Sequence, residues 1–376
     1  MSMKAIFALL ISALAPGAAQ TLDLYMVDVG QGNAFIVVSP SGETMLYDAG
    51  PRRTAGRVLA VMKEAGIQQL DYMVISHFHE DHFGAAIEIA DKMKVRNFLD
   101  HGPSVEYHRT EDWWKTLKGP QYVMNLQGRP SMSKDYDDLY DKYTTLVGKG
   151  KHTVVNPGDR IPFKGASVLA VCSRGKIISH PLPGAGKPNP ACAGAEMRLD
   201  DTSEDGQSIG LLFTLGKFRL IGLGDLTWNL ANRYFCPNNP IGTVDAYIIS
   251  HHARGYPKES GENSWSWSSC PKAEVWGLSP RVAFLSLSRG APPRLADAEK
   301  NVQSSPRFED MWQTELLTVG AEKEYNSKED FIANLNANVN QSGGRPLYIK
   351  LSAKPDGTFT VTNSRNGYTK QYPPRQ

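Results

Sequence analysis

One short segment constrains this chain more than any other. Residues 76–82 read Ser-His-Phe-His-Glu-Asp-His and directly follow an apolar run at residues 72–75, so three of the nine histidines fall within six residues, beside a carboxylate. On a strand-to-helix turn, His77 and His79 point the same way, while Asp81 and His82 open the next helix and can face a second ion. Neutral imidazoles and carboxylates are ligands of zinc and other borderline divalent metals. A solvated polar turn would show this pattern by chance with a probability of roughly 10⁻³ or less, so the segment predicts a metal site.

Length and composition place this segment in a globular protein. The 376 residues suffice for one large domain with insertions or for two ordinary domains. An apolar fraction of 41% and a charged fraction of 21% exclude a disordered chain and a coiled coil. The formal net charge of +2 argues against a dedicated polybasic surface for nucleic acid, although it leaves room for a local basic patch.

The N-terminus has the pattern of a secretory signal peptide over residues 1–19. Lys4 supplies the positive charge, residues 5–15 are an apolar stretch, and the small residues at 16–19 offer a cleavage site after Ala19. The apolar stretch is shorter than the ~20 residues that a bilayer span requires. We therefore expect a periplasmic or secreted protein with no stable membrane span after cleavage. The alternatives are a short buried helix and a membrane anchor.

Four cysteines remain in the mature chain, and an even number in an exported protein predicts two disulfides. Proximity in the sequence favours the pairs Cys172–Cys192 and Cys236–Cys270, each of which would close a loop rich in glycine, proline or serine. The alternative is buried free thiols. No Cys-x-x-Cys pair occurs, so a thiolate zinc site or a redox motif is not expected.

Strand patterns alternate with helix patterns along the chain, which predicts an α/β layered fold. The predicted strands cover residues 22–29, 34–38, 44–47, 72–75, 95–99, 167–171, 209–215, 218–223, 246–249 and 282–287, and the predicted helices 56–65, 83–93, 136–146 and 226–234. Two segments interrupt the pattern and are interpreted as insertions, at about 102–160 and 173–207. The C-terminal part, residues 291–376, is expected to pack on the same domain, with a helix at 307–318 and a hairpin of residues 348–351 and 358–361.

Further motifs extend the histidine segment into a family resemblance. Residues 27–33 read Val-Asp-Val-Gly-Gln-Gly-Asn, residues 46–50 Leu-Tyr-Asp-Ala-Gly, residues 223–226 Leu-Gly-Asp-Leu, and residues 249–252 Ile-Ser-His-His. In this order the chain resembles the metallo-β-lactamase superfamily, whose signature is His-x-His-x-Asp-His. Its opening is similar to that of the extracellular hydrolase domain of ComEC-type DNA-uptake proteins. The resemblance covers about residues 20–290 and implies a four-layer αββα sandwich with a two-metal cleft at one edge of the sheets.

The resemblance also implies a ligand set. His77, His79 and His101 would hold the first metal, His101 because it follows a strand at the place where the family's phosphodiesterase and glyoxalase branches supply a further histidine. Asp81, His82 and His251 would hold the second, with Asp225 bridging the two ions. Which of His251 and His252 is the ligand stays open; strand-end placement favours His251, and His252 is then a candidate proton donor. The complete set is: metal ligands His77, His79, Asp81, His82, His101, Asp225 and His251; catalytic residues Asp81 and His252. Asp48 is expected to orient a ligand.

The implied activity is metal-assisted hydrolysis by an enzyme with two divalent ions, expected to be Zn²⁺, with Mn²⁺ or Fe as alternatives. The substrate would be a small molecule or a nucleic acid. A bridging Asp225 favours phosphodiesters, because β-lactamases of the superfamily usually lack that ligand. Lactone, thioester or β-lactam hydrolysis at the same site is a second hypothesis, and a non-catalytic binding or scaffold protein is a third. Ser288-Arg289-Gly290 departs from the ComEC-type pattern on the substrate side of the cleft.

Overall fold

The computed structural model describes residues 21–107, 134–198, 201, 203–254, 268–287, 297–318, 321–336 and 345–375. The predicted signal peptide and residues 288–290 lie outside the described residues. Within the described part of the chain, no helix combines the length and the apolar character that a membrane crossing requires.

Two large sheets form the centre of the fold, and each joins segments that are distant in the sequence. The first contains nine strands in the order Thr369–Tyr372, Phe359–Asn363, Tyr348–Ala353, Leu22–Val27, Ala34–Val38, Thr44–Ala49, Tyr72–Val74, Asn97–Asp100 and Lys151–Val154. The second runs Lys176–Ile177, Ser167–Ser173, Gly210–Leu215, Phe218–Gly222, Ala246–Ile248, Val282–Leu285, Asp310–Glu315 and Ile332–Asn334, with Arg160–Ile161 also paired to Ser167–Ser173. Two small ribbons pair Lys187–Pro188 with Asn238–Asn239 and Gln69–Leu70 with Lys94–Val95.

Helices cover the outer face of each sheet. Ala55–Glu64, Glu80–Phe83, Ala86–Lys92 and Lys134–Val147 lie on the first sheet, and Trp228–Phe235, Lys272–Leu278 and Asp297–Gln303 on the second. Short 3₁₀ turns occur at Pro190–Cys192, Glu204–Gln207, Ser250–Ala253, Ala321–Tyr325 and Glu329–Phe331.

Three buried apolar cores separate these four layers. Between the sheets, side chains such as Phe35 and Val37 meet Phe213 and Leu220. A second core lies between the first sheet and its helices, and a third lies between the second sheet and its helices. Strands buried on both faces read as continuous apolar runs because neither face meets water. The predicted αββα sandwich is therefore confirmed.

The C-terminal region completes both sheets rather than forming a separate layer. The predicted hairpin is confirmed, since Tyr348–Ala353 pairs antiparallel with Phe359–Asn363. The predicted helix at 307–318 is wrong: Asp310–Glu315 is a strand that lies parallel to Val282–Leu285. Its residues from Met311 to Glu315 are all buried, so both faces are covered. A helix at this position would leave Val282–Leu285 paired on one side only, with Ala246–Ile248.

The disulfide prediction is also wrong. The structure joins Cys192 to Cys236, while Cys172 and Cys270 are buried free thiols. The segment around Cys192 lies beside the C-terminal end of the helix Trp228–Phe235, where Asn189 Nδ2 donates to the carbonyl oxygen of Phe235 (3.0 Å). Cys172 instead lies in a central strand, and its thiol contacts the Ser208 carbonyl oxygen at 3.7 Å.

Removing this disulfide is expected to lower the free energy of unfolding. The bridge joins residues separated by 44 positions, so its loss frees a long loop in the unfolded chain and costs about 2–4 kcal/mol. The double variant C192S/C236S and the wild type are compared by urea unfolding, with and without dithiothreitol. Reductant should lower the wild-type midpoint and leave the variant unchanged; identical midpoints for all four samples would contradict the assignment.

Candidate metal centre

Parallel strand pairing brings the candidate ligands to one edge of the sandwich. Thr44–Ala49 and Tyr72–Val74 run parallel in the first sheet, and Phe218–Gly222 and Ala246–Ile248 run parallel in the second. Parallel strands end at the same edge, so the segments that follow them meet there. The structure gathers eight side chains at this edge: His77, His79, Asp81, His82, Asp205, Asp225, His251 and His252.

The first half of the cluster contains His77, His79 and Asp205. His79 Nδ1 lies 2.7 Å from Asp205 Oδ1, and His77 Nε2 lies 3.4 Å from the same oxygen. His251 Nε2 approaches the other oxygen of Asp205 at 3.6 Å. His77 and Asp205 are almost fully buried, whereas His79 is partly exposed.

The second half contains Asp81, His82 and His252. The Nε2 atoms of His82 and His252 are 3.2 Å apart, and His252 Nε2 lies 3.5 Å from Asp81 Oδ2. Two imidazole nitrogens converging with a carboxylate oxygen suit a divalent cation, because each atom offers a lone pair when the rings are neutral.

Asp225 joins the two halves. Its Oδ2 atom lies 3.2 Å from His82 Nε2, 3.5 Å from His252 Nε2, 3.6 Å from His251 Nε2 and 4.0 Å from His77 Nε2. Its Oδ1 atom is buried and makes no hydrogen bond with the described residues. The carboxylate thus faces both triads, which is the position of a bridging ligand.

The outward nitrogens of four histidines are held by hydrogen bonds. His82 Nδ1 contacts Asp48 Oδ2 (2.8 Å), and His252 Nδ1 donates to the carbonyl oxygen of Ser286 (3.0 Å). His77 Nδ1 contacts the hydroxyl of Ser76 at 3.0 Å, and His79 Nε2 contacts Glu106 Oε2 at 3.2 Å. Such partners orient a metal-binding imidazole and select the nitrogen that faces the ion. The inward atoms His77 Nε2 and Asp225 Oδ1 are buried and have no hydrogen-bond partner among the described residues, so the donor set fits two divalent cations.

Burial and neighbouring charges shift the pKa values of the cluster in opposite directions. Burial alone would raise the pKa of Asp81, but His82 and His252 lower it to about 2. Burial opposes ionisation of Asp225 as well, yet the surrounding histidines hold its pKa well below the usual range. Burial, Arg254 and His252 lower the pKa of His251 to about 4, against the opposing effect of nearby carboxylates. Ionised carboxylates and a neutral imidazole are the forms that bind a cation.

The structure distributes the predicted residues differently in two places. The sequence favoured His251 beside Asp81 and His82, but His252 lies there, and His251 lies against Asp205 and Asp225. His101 is not brought to the cluster, because its Nε2 atom contacts Glu204 Oε2 at 2.8 Å. Sequence reasoning missed Asp205 altogether. The available signal was the acidic pair Glu204-Asp205 just before an apolar strand, inside a segment interpreted as a loop.

The turn that carries the two histidines has an unusual backbone. His251, His252 and Ala253 have φ values of 49°, 52° and 58°, in the left-handed region that non-glycine residues rarely adopt. Such conformations persist only when their surroundings fix them. Ser250 holds this turn through two hydrogen bonds. Its amide donates to the Tyr247 hydroxyl (3.0 Å), and its hydroxyl donates to Glu274 Oε1 (2.7 Å). Tyr247 also donates to Glu274 Oε1, at 2.6 Å.

Glu274 is expected to make stability fall as pH rises. It is fully buried, and burial raises its pKa to about 7, despite hydrogen bonds from Tyr247 and Ser250 that lower it. A carboxyl whose folded-state pKa is raised is neutral in both states at low pH and costs stability once it must ionise. Between the unfolded pKa near 4.5 and the folded pKa near 7, its share of the unfolding free energy falls by about 3 kcal/mol.

The measurement is urea unfolding of Glu274→Gln at pH values from 4 to 8. The variant should lose this part of the pH dependence, while Glu88→Gln, on an exposed helix face, should keep the wild-type profile. If the unfolding free energy depends on pH equally in Glu274→Gln and in the wild type, Glu274 ionises freely in the folded protein.

A family model matches the N-terminal part of the chain. Residues 27–187 match the family model of the metallo-beta-lactamase superfamily. A search of curated proteins returns no significant match.

Solved structures also match the chain. A mutant of the beta-hydroxylase CmlA has 13% identity and a TM-score of 0.40, over 77% of this chain and 52% of that chain. CmlA itself is described as a diiron beta-hydroxylase from Streptomyces venezuelae. A mutant metallo-β-lactamase from Cronobacter sakazakii has 14% identity and a TM-score of 0.31, over 57% of this chain and 62% of that one. The metallo-β-lactamase SMB-1 with mercaptoacetic acid has 16% identity and a TM-score of 0.31, over 54% and 62%. This chain therefore spans about half the length of the first relative and 62% of the other two.

The sequence match covers the histidine segment, and the four layers place that segment at the edge of two facing sheets. The chain has the metallo-β-lactamase fold, and its residues 27–187 carry the sequence signature of that superfamily.

Proposed function

We propose that the protein is an exported metal-dependent hydrolase that cleaves phosphodiesters, in nucleotides or nucleic acid, with two divalent ions. The observation that carries the proposal is the position of Asp225, whose single Oδ2 atom lies within 4.0 Å of histidine nitrogens from both triads. A carboxylate in this position can hold two ions a short distance apart, which is the arrangement used in two-metal phosphate chemistry. The resemblance of residues 27–33 to ComEC-type hydrolase domains also supports it.

The protein residues supply binding and orientation. His77, His79, Asp205 and Asp225 would hold one ion, and Asp81, His82, His252 and Asp225 the other. When bound, such ions lower the pKa of a shared water and stabilise negative charge that develops on the substrate. Asp48 and the Ser286 carbonyl oxygen keep His82 and His252 directed inward. His251, whose Nδ1 is buried without a hydrogen bond to the described residues, stays neutral beside both aspartates.

We propose zinc as the resident metal, because four of the seven proposed ligands are imidazoles. The three carboxylates, Asp81, Asp205 and Asp225, also suit manganese and iron. Elemental analysis of protein purified without added metal distinguishes these ions, and two zinc per chain is the expected result.

Hydrolysis of bis-p-nitrophenyl phosphate by the mature protein tests the activity. We expect chelator-sensitive turnover at about two metal ions per chain. A lactone, a thioester and a β-lactam are assayed in parallel at the same metal content. Turnover of one of these, with none of the phosphodiester, would replace the proposed substrate class. A fully metallated protein inactive on every substrate would favour a binding role.

Export is tested separately from chemistry. We expect the full chain, expressed in a Gram-negative host, to be recovered in the periplasm or the medium with an N-terminus at residue 20. The control variant carries charged residues in the apolar stretch at 5–15 and should remain uncleaved in the cytoplasm. An uncleaved wild-type chain would contradict this part of the proposal.

A further inference from the structure

We propose that Glu204 and His101 form a buried pair that positions the first half of the metal centre, and that His101 acts there as the partner of Glu204 rather than as a metal ligand. The inference rests on the proposed metal centre but not on the identity of the substrate. It assigns a function to two buried polar groups that the hydrolytic chemistry does not use.

Glu204 is a fully buried carboxylate with a complete set of hydrogen bonds. Its Oε2 atom accepts from the amide of Phe78 (3.0 Å) and lies 2.8 Å from His101 Nε2. Its Oε1 atom accepts from the hydroxyl of Ser104 (2.7 Å) and from the amide of Val105 (2.6 Å). A buried carboxylate is tolerated only when its charge is compensated in this way. The four donors come from two different loops, so Glu204 holds those loops together.

These contacts fix the backbone segments that carry the metal-binding side chains. Phe78 is the residue between His77 and His79, so the bond to its amide sets the loop that presents both imidazoles. Glu204 immediately precedes Asp205, whose Oδ1 atom lies 2.7 Å from His79 Nδ1. One residue therefore locks the backbone of the two histidines and the carboxylate that faces them.

Glu106 links Glu204 to His79. Its Oε1 atom accepts from the amide of Glu204 (3.2 Å), and its Oε2 atom contacts His79 Nε2 (3.2 Å). The outward nitrogen of His79 is thus held by a residue that also holds Glu204. The turn Glu204–Gln207, the histidine segment at residues 76–82 and the loop at residues 101–107 are thus joined by hydrogen bonds around the first half of the centre.

His101 supplies the compensating group for Glu204. The residue is 1% exposed, its ring packs on Phe78 with centroids 4.8 Å apart, and its Nε2 atom faces the carboxylate. Leaving either group buried without the other costs far more than removing both.

Three single variants of the pair are compared, each as the full mature protein: His101→Gln, His101→Ala and Glu204→Gln. Glutamine at position 101 can place an amide N–H near the position of His101 Nε2 and donate to Glu204, whereas alanine cannot. Glutamine at position 204 turns an NH₂ group toward donors that need an acceptor. Metal affinity is measured by competition with a chromophoric chelator, and site geometry by the visible spectrum of the Co²⁺-loaded protein, with no substrate present.

We expect His101→Ala and Glu204→Gln each to weaken the binding of one of the two ions about 10–100-fold, as for other groups that orient ligands. His101→Gln should recover most of this affinity and the wild-type Co²⁺ spectrum. The double variant His101→Ala/Glu204→Gln should deviate clearly from the sum of its single effects, because the two groups contact each other.

Two results would overturn the proposal. If His101 is a metal ligand, His101→Gln will lose the ion as completely as His101→Ala and will match Asp205→Asn. If the pair is merely structural, all variants will lose stability in urea while metal affinity and the Co²⁺ spectrum stay unchanged. Absence of phosphodiester turnover would refute the proposed substrate and leave these metal-binding results unaffected.

Discussion

Replacing Asp225 by asparagine is expected to lower turnover by about 10³-fold or more, equivalent to about 4 kcal/mol of activation free energy. The reason is geometric. Asp225 Oδ2 lies between His82 and His252 on one side and His77 and His251 on the other, and among the described residues no other carboxylate oxygen lies close to histidines of both triads. An amide carries no negative charge and binds a second cation poorly through the same group.

Metal content separates this effect from a folding defect. We expect Asp225→Asn to retain at most about one ion per chain where the wild type holds about two. Asp91→Asn, which makes the same chemical change at an exposed helix position, is the matched control and should keep both ions and full activity. An Asp225→Asn protein with two tightly bound ions would show that the two sites are not bridged by this residue.

Gly32→Ala is expected to cost about 3–5 kcal/mol of unfolding free energy, through overpacking and an unfavourable backbone angle together. Gly32 has φ = +114°, and a Cβ atom there would lie 2.0 Å from the Asp81 carbonyl oxygen and 2.8 Å from Asp81 Cβ. The clash involves backbone, which cannot rotate away. The amide of Asn33 donates to the same carbonyl oxygen (3.1 Å), so the turn and the Asp81 segment must move together.

Gly30 provides the control for this substitution. It also has a positive φ, +76°, but a Cβ atom there would meet nothing within 4 Å. Gly30→Ala should therefore cost only about 1 kcal/mol, the backbone part of the penalty. Urea unfolding gives both values, and chelator competition should show weakened binding of one ion in Gly32→Ala alone. Equal losses for the two variants would mean that the close approach to Asp81 does not contribute.

The close approach of Gly32 to Asp81 also explains why the opening motif at residues 27–33 contains a glycine at this position. Asp28 Oδ1 accepts from the Gly30 amide (3.2 Å), and Asp28 Oδ2 accepts from Asn334 Nδ2 (2.8 Å). The motif therefore shapes a tight turn against the Asp81 segment and the far end of the second sheet. The sequence indicated the turn, whereas its partner Asn334, which lies 306 positions away, follows only from the fold.

Sequence reasoning succeeded where a few neighbouring residues decide the outcome. The strand before residue 76, the histidine segment and the C-terminal hairpin each depend on local patterning. It failed for the strand Asp310–Glu315 because a short amphipathic run fits either a helix or a strand until its neighbours are known. The buried strand Val282–Leu285 beside it decides in favour of a strand, by offering a row of backbone hydrogen bonds.

The metal centre divides in the same way. By itself the sequence determined that His77, His79, Asp81 and His82 sit together, since they are separated by at most five positions on a turn between a strand and a helix. Only the tertiary structure decided that Asp205 and His252 complete the two triads, that His101 contacts Glu204, and that Cys192 pairs with Cys236. These partners come from segments separated by 44 to 170 positions. Their meeting depends on how two sheets pack face to face, which is set by the summed burial of the three cores rather than by any local signal.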